Sequence, residues 1–343
     1  MTPDFIIRLY QEPDFRQVLE VIRTASRADG EAYLPTESDL RTRFATPHPD
    51  PRIDPAQDML VAEKPGAGLL AYADGILRGE ASAPIYQTYC FIPPENRRQG
   101  IGRALLDRQW ARVKEISAQL DGCTISLRAR IFETQSEARA LFEAASLDCL
   151  RYFLEMRRDL SPEALRTIPI PRLDLPINLK LESWAEQRQD RAVWAAVNEA
   201  FRDHWGNVPE AFKTFEQRLS LGQFEPENSY LVWEGDPHSA SLRGTREIAG
   251  GTLNTMGPAT VARLGRNQGW ISRLFVRRPW RRGLGRALLI ASLLRARSLG
   301  HESVGLNVDA ESLTGALRLY EAVGFYSTAT LMIYERVYPE ESA

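Results

Sequence analysis

One short pattern occurs twice in the 343 residues: Gly100-Ile101-Gly102-Arg103-Ala104-Leu105-Leu106 and Gly283-Leu284-Gly285-Arg286-Ala287-Leu288-Leu289. Each copy sets two glycines at the head of a helical stripe and surrounds them with arginine. Arg97, Arg98 and Arg103 flank the first, with Gln99 between them; Arg281, Arg282 and Arg286 flank the second. A helix start leaves backbone N–H groups unpaired and carries the positive end of the helix dipole, and glycine there lets a phosphate approach the backbone closely. Guanidinium forks supply the remaining charge. The chemistry this combination suits is the holding of a pyrophosphate. Two commoner nucleotide loops do not fit. The third glycine of Gly-x-Gly-x-x-Gly is replaced by Leu105 and Leu288, and no Gly-Lys-Ser/Thr follows either copy.

The elements that must position these loops repeat as well. An apolar, strand-like run precedes each, Ile85 to Ile92 and Trp270 to Val276, and a helical stripe follows through Leu106, Trp110 and Val113 or Leu284, Leu288 and Ala291. Next come strands at Thr124 to Ala129 and Ser303 to Val308, then helices that end Phe142-Glu143-Ala144-Ala145-Ser146-Leu147 or Tyr320-Glu321-Ala322-Val323-Gly324-Phe325. Late strands are predicted around Tyr152 to Met156 and Thr330 to Val337. Each half opens on a strand (Phe5 to Tyr10; Ile177 to Glu182), a helix (Phe15 to Ser26; Ala192 to Phe201) and a strand pair (Met59 to Ala62 with Leu69 to Tyr72; Tyr230 to Trp233 with Glu247 to Leu253). The repeat is a duplicated domain, consistent with a length that suggests roughly two domains. The expected division is residues 1–160 and 177–343 about a linker at 161–176 that holds Pro162, Pro169, Pro171 and Pro176. A surface loop is expected over Ala45 to Pro55, where Pro47, Pro49, Pro51 and Pro55 cluster.

The segment Pro94-Glu95-Asn96-Arg97-Arg98-Gln99-Gly100-Ile101-Gly102 closely resembles the Arg/Gln-x-x-Gly-x-Gly/Ala signature of the GNAT superfamily of acyl-CoA-dependent N-acyltransferases, and the helix end at Tyr320 to Phe325 resembles that family's other recurrent segment. The paired patterns cover nearly the whole chain, a tandem layout similar to two-domain acetyltransferases of the mycothiol synthase type. The resemblance implies an α+β fold: two tandem GNAT-like domains, each a twisted mixed central sheet flanked by helices. It also implies acetyl-CoA as cosubstrate and direct transfer of the acetyl group to a primary amine of a small molecule.

Such a transfer needs a neutral amine, polarisation of the acyl carbonyl and a proton for the departing thiolate. By the resemblance, the strand before the loop splays at a bulge and frees a backbone N–H for the acyl oxygen, here over Arg273 to Val276, so Leu274, Phe275 and Val276 join the cofactor-binding candidates. Tyr320 takes the place of the general acid and Asn307 a cofactor contact on the preceding strand. His204 is the candidate base, with Asp203 and Glu234 weaker. The alternatives are a half-buried core aromatic for Tyr320, a strand-end cap for Asn307 and a surface-loop histidine for His204. The acceptor is expected where the helices Ala192 to Phe201 and Glu210 to Leu219 meet the linker and first domain, lined by Trp205, Trp233 and Trp270 or else with those rings in the core. Phe142 replaces Tyr320 in the first half, which keeps the intact signature. In the second half Trp280 stands where the signature has Arg or Gln. The second half is therefore read as catalytic and the first as the better phosphate cradle.

Bulk properties bound the rest. Net charge of -2 offers no global field for nucleic acid or an anionic membrane. Three cysteines without CxxC spacing and the scattered His48, His204, His238 and His301 support neither a disulfide framework nor a metal site. With neither a signal-peptide layout nor a run of 18 apolar residues, a cytoplasmic protein is expected. Oligomeric state is not legible. Two further readings stay open: a non-catalytic acyl-CoA-binding or sensing protein, and a protein or peptide N-acetyltransferase.

Overall fold

A computed structural model describes the chain apart from residues 1–3, 32–33, 46–52, 80–83, 187, 208, 236–245, 282, 313–314 and 340–343. Pro47, Pro49 and Pro51, with His48, His238 and Arg282, therefore lie outside the described residues. Two compact units are formed: Met1–Tyr152 with Thr330–Ala343, and Phe153–Ala329.

Unit 1 begins with β1 (Ile6–Leu9), α1 (Phe15–Ala28) and α2 (Glu37–Ala45), then β2 (Met59–Lys64), β3 (Gly68–Arg78) and β4 (Ile85–Phe91). Next come α3 (Ile101–Gln119), β5 (Ile125–Phe132) and α4 (Ser136–Ala144). The chain passes through β6 (Asp148–Asp159) into unit 2: α5 (Pro162–Thr167), β7 (Leu179–Ser183), α6 (Asp190–Ala200), α7 (Phe212–Ser220), β8 (Tyr230–Glu234), β9 (Glu247–Thr255), α8 (Pro258–Leu264), β10 (Gln268–Val276), α9 (Leu284–Ser298), β11 (Ser303–Asp309) and α10 (Ala316–Glu321). It returns through β12 (Tyr326–Tyr338).

The strand order is β1-β2-β3-β4-β5-β12 in unit 1 and β7-β8-β9-β10-β11-β6 in unit 2. Each sheet is antiparallel except for one parallel contact, β4 with β5 and β10 with β11. The helix between those strands supplies the crossover that a parallel pair requires. The last strand of each half is exchanged. Residues of β6 ladder onto β11 from Phe153↔Asp309 to Asp159↔Ser303, and β12 ladders onto β5 from Leu331↔Phe132 to Tyr338↔Ile125. The units are thus not contiguous stretches divided at the proline-rich segment. That segment belongs to unit 2, where Ser161 caps the short α5 and Leu165, Ile170 and Leu173 pack against the core that includes Leu289, Val304 and Leu306.

The expected strands and front helices are present with ends shifted by a few residues. The short α2, α5 and α8 carry too little apolar periodicity to be read from sequence.

Candidate active site

In each unit the parallel ladder is brief and then opens. β10 and β11 pair at Gln268↔Ser303, Gly269↔Val304 and Trp270↔Gly305, after which β10 continues with β9 alone. Trp270 seals the point of separation. A Cβ on Gly305 would lie 2.5 Å from its ring, so only glycine lets the indole cover β11 there. In unit 1 the ladder covers Ile85↔Ser126 to Gln87↔Arg128. Beyond these ladders the units differ. The β9–β10 register slips between Ile271 and Arg273, making Ser272 the extra residue of a bulge, whereas the β3–β4 register runs unbroken from Arg78↔Ile85 to Tyr72↔Phe91. The expected bulge exists in the second half, one residue before the Arg273 to Val276 stretch. It leaves the edge of that stretch facing β11 without a strand partner among the described residues.

The two glycines of each loop have different work. Gly100 and Gly283 cap α3 and α9 in the left-handed region, at φ 83 and φ 80, and a Cβ on either would meet nothing within 4 Å. They turn the chain and leave the approach to the first helical turn open. Gly102 and Gly285 are packing positions: a Cβ would come within 3.0 Å of Leu141 and 3.1 Å of Leu319. The helix after the second strand therefore rests against the first turn of the loop helix. The backbone N–H groups of Leu284 and Gly285, in the first turn of α9, lack intrahelical acceptors, and Leu284 itself is buried.

The arginines divide in the opposite sense to the sequence expectation. Around Gly100, Arg97 pairs with Asp29 at 2.9 Å and donates to the Ile92 carbonyl, and Arg103 pairs with Asp107 at 2.9 Å. Arg98 lies 3.8 Å from Glu137, and the Gln99 amide donates to the Glu95 carbonyl. Around Gly283, Arg277 and Arg278 are engaged, with Glu199 and Asp203, and so tie the loop to the end of α6. The exposed Arg281 and Arg286 hold no ion pair among the described residues. The loop with the better signature has its cations occupied, and the loop with the poorer one keeps Arg281 and Arg286 without an ion pair among the described residues.

Tyr320 is 7% exposed and lies in one core cluster with Ile271, Leu306 and Val308. Its hydroxyl has no hydrogen-bond partner among the described residues, and burial raises its pKa to about 12. Phe142, in the equivalent place of unit 1, packs on Tyr334 at 5.4 Å between ring centroids. His204 lies in the turn after α6, its ring edge-on to Phe201 at 4.5 Å. Burial first, then Arg281, pushes the imidazole below its usual pKa, with Asp309 opposing and Arg273 adding to the fall. Arg281 of the loop, Arg273 of β10 and Asp309 at the end of β11 are the charges that act on His204. Asn307 is exposed on β11, opposite Glu155. Leu274 and Val276 are half-buried on β10, and Phe275 is in the core with Trp184 and Val193.

Of the three tryptophans, Trp233 is 1% exposed in the core, which removes it from any acceptor pocket. Trp270 is spent on Gly305, and Trp205 packs against Phe153 at 6.1 Å. Asp203 is engaged by Arg278, and Glu234 accepts from Asn178. One residue with no individual role in the sequence reading belongs to the site. Arg273 lies with its guanidinium over the Phe201 ring at 5.2 Å. No group of three or more His, Cys, Asp and Glu suited to a metal occurs among the described residues.

Residues 192–325 match the profile of the acetyltransferase (GNAT) family. Over most of its length the chain is similar to mycothiol acetyltransferases. It is 28% identical over 332 residues to that of Geodermatophilus obscurus, covering 93% of each chain. It is 29% identical over 342 residues to that of Thermobifida fusca, covering 94% of each. Among solved structures, a GCN5-related N-acetyltransferase from Sphaerobacter thermophilus aligns with 98% of this chain and 96% of its own at a TM-score of 0.70 and 23% identity. A tandem GNAT protein from the clavulanic acid biosynthesis pathway aligns with 98% and 99% at 0.65 and 18%. At those identities the structural likeness speaks for the fold, which is a tandem GNAT fold.

Proposed function

We propose, for a chain whose residues 192–325 form a domain of the GNAT acetyltransferase family, that unit 2 transfers an acetyl group from acetyl-CoA to the amine of a small molecule. The observation that carries this reading is Tyr320: a side chain buried with Ile271, Leu306 and Val308 whose hydroxyl has no protein partner among the described residues.

The residues present suit the cosubstrate. Open N–H groups at the head of α9, with Arg281 and Arg286 uncommitted, suit a diphosphate. The unpaired edge of β10 beyond the Ser272 bulge offers an N–H to the acyl oxygen, and a fixed donor stabilises charge developing there without reorganisation. His204, kept neutral by burial and by Arg281, takes the proton from the attacking amine. Tyr320, with its pKa raised to about 12, stays protonated at neutral pH and donates to the departing sulfur. The amine nitrogen gains the acetyl carbon, the carbon–sulfur bond breaks, and the products are an amide and a thiol.

In unit 1, Phe142 in place of Tyr320, an unbroken β4 and arginines already held by carboxylates support a non-catalytic role. The intact signature keeps cofactor binding there open, since exposed ion pairs such as Arg103–Asp107 contribute at most about 1 kcal/mol and can be displaced.

The test is thiol release from acetyl-CoA across a panel of amines. The reaction for which the relatives are named, mycothiol acetylation, is one instance of this class and belongs in the panel. Release with at least one small amine is expected. Binding of acetyl-CoA without release for every amine would leave a sensing protein as the better reading.

A further inference from the structure

Arg273 is the one cation on the diverging part of β10, and the bulge decides where it goes. Side chains alternate along a strand, so without an extra residue Arg273 would share a face with Ile271. Ile271 packs with Leu289, Ile290 and Leu293 of α9. Ser272 shifts the register, and Arg273 emerges on the other face, over Phe201, with Phe275 packed beside Val193 and Ala196 of α6. The guanidinium therefore stands on the α6–α7 side of the opening.

There it has no carboxylate. Glu210, the carboxylate whose field acts on it, is taken by Arg218 at 3.1 Å, and Arg218 donates also to the Gln223 side chain at 3.0 Å. No hydrogen bond or ion pair holds Arg273 among the described residues, and the field of Arg218 adds repulsion. Burial is the larger effect, and together they pull its pKa down to about 10, so it remains charged at neutral pH. A half-buried cation that has lost water and gained no counter-ion gains free energy from any anion that enters. The same Phe201 ring carries Arg273 on one contact and His204 on another, so an anion on Arg273 lies near the group that would deprotonate an amine.

We infer that the acceptor of unit 2 is a small amine that also bears an oxyanion, a carboxylate or a phosphate, which pairs with Arg273 and orients the amine toward His204. This rests on the transferase reading above and names its substrate class. Loss of a charged hydrogen-bonding partner of this kind typically changes affinity about 10- to 100-fold.

The test uses the full chain and matched acceptors: 4-aminobutyrate against 4-aminobutanamide, and phosphoethanolamine against ethanolamine. In the unaltered protein the anionic member of at least one pair should have a kcat/KM about tenfold or more above its neutral partner. The pair that shows the preference tells carboxylate from phosphate. Arg273→Gln should bring the ratio within each pair close to one, and Arg273→Lys should restore part of it. Neutral members used as well as anionic ones would overturn the inference, as would a ratio that Arg273→Gln leaves intact while lowering both rates. Should no amine in any panel release thiol, the transferase reading falls, and the anion site is then decided by binding alone. The anionic amines must raise the melting temperature of the unaltered protein and not that of Arg273→Gln. Equal shifts in the two proteins, or none, would overturn it.

Discussion

Tyr320 and Phe142 hold equivalent places in the two units and differ by one hydroxyl, so the proposed division of labour turns on a single proton donor. Tyr320→Phe keeps the packing against Ile271 and Leu306 and removes only the donor. It should lower kcat by about 10²-fold or more with folding unchanged by circular dichroism. An unaltered kcat would remove the acid role. His204 makes a second prediction, for pH. Burial and Arg281 hold its pKa below the usual 6.5, so the proposed base is neutral at pH 7 and is lost only as pH falls through lower values. With one acceptor, the kcat profile of the native protein should turn down below pH 6.5 relative to that of His204→Gln, which should lack that limb. Tyr320, at about 12, adds no alkaline limb below pH 10. Identical acid limbs in the two proteins would exclude His204 as the base. The loop glycines and Tyr320 were legible in the sequence because repetition and neighbours marked them. Arg273 as an individual was not, since one inserted residue at Ser272 chooses its face and nothing in the local residues announces it.

Gly285, at the level of elements, couples the loop to the proposed proton donor, because Leu319, next to Tyr320, is the neighbour a larger residue would meet. Gly285→Val should push α10 away from the head of α9 and lower kcat, while Gly283→Ala, which meets open space at positive φ, should cost about 1 kcal/mol or more of stability through its backbone alone. Denaturant unfolding beside steady-state rates separates the two effects. Unit 1 has a different joint. Arg112 of α3 and Asp58, 5% and 3% exposed, pair at 2.9 Å, and Asp58 also accepts from the Tyr86 hydroxyl of β4. Asp58→Ala takes from the buried Arg112 its closest carboxylate and leaves it Glu115 at 3.3 Å and the Asp54 carbonyl, so it should destabilise the protein by about 1–3 kcal/mol. Equilibrium unfolding measures it, and a loss under about 1 kcal/mol would show that Glu115 and the Asp54 carbonyl suffice for Arg112. Most strands could be read from their alternation, but no pattern in α3 told that Arg112 points inward, because its partner lies far away in sequence.

The exchange of last strands is the feature of the whole molecule that the sequence could not announce. Tyr152 to Met156 and Thr330 to Val337 are both short apolar runs after equivalent helices, so each is compatible with either sheet, and register alone does not name the partner. Specific side-chain contacts separate them. β12 supplies Met332 and Tyr334 to the core with Leu127 and Ile131, and its Glu335 pairs with Arg128 of β5 at 2.8 Å. A chain ending at Ala329 would therefore lose a strand of unit 1, although the deleted residues come after unit 2 in sequence. An edge stripped of its partner exposes unpaired backbone groups and apolar side chains. Amide hydrogen exchange in that truncated chain should show lost protection over β5 and the neighbouring β4, with β9, β10 and β11 kept close to their original values by the β6 ladder. Loss centred on β11 instead would mean that each half closes its own sheet. The same contacts carry a catalytic consequence: acetyl transfer by unit 2 should survive the truncation better than the fold of unit 1 does, because Tyr320, His204 and the Gly283 loop all precede the cut.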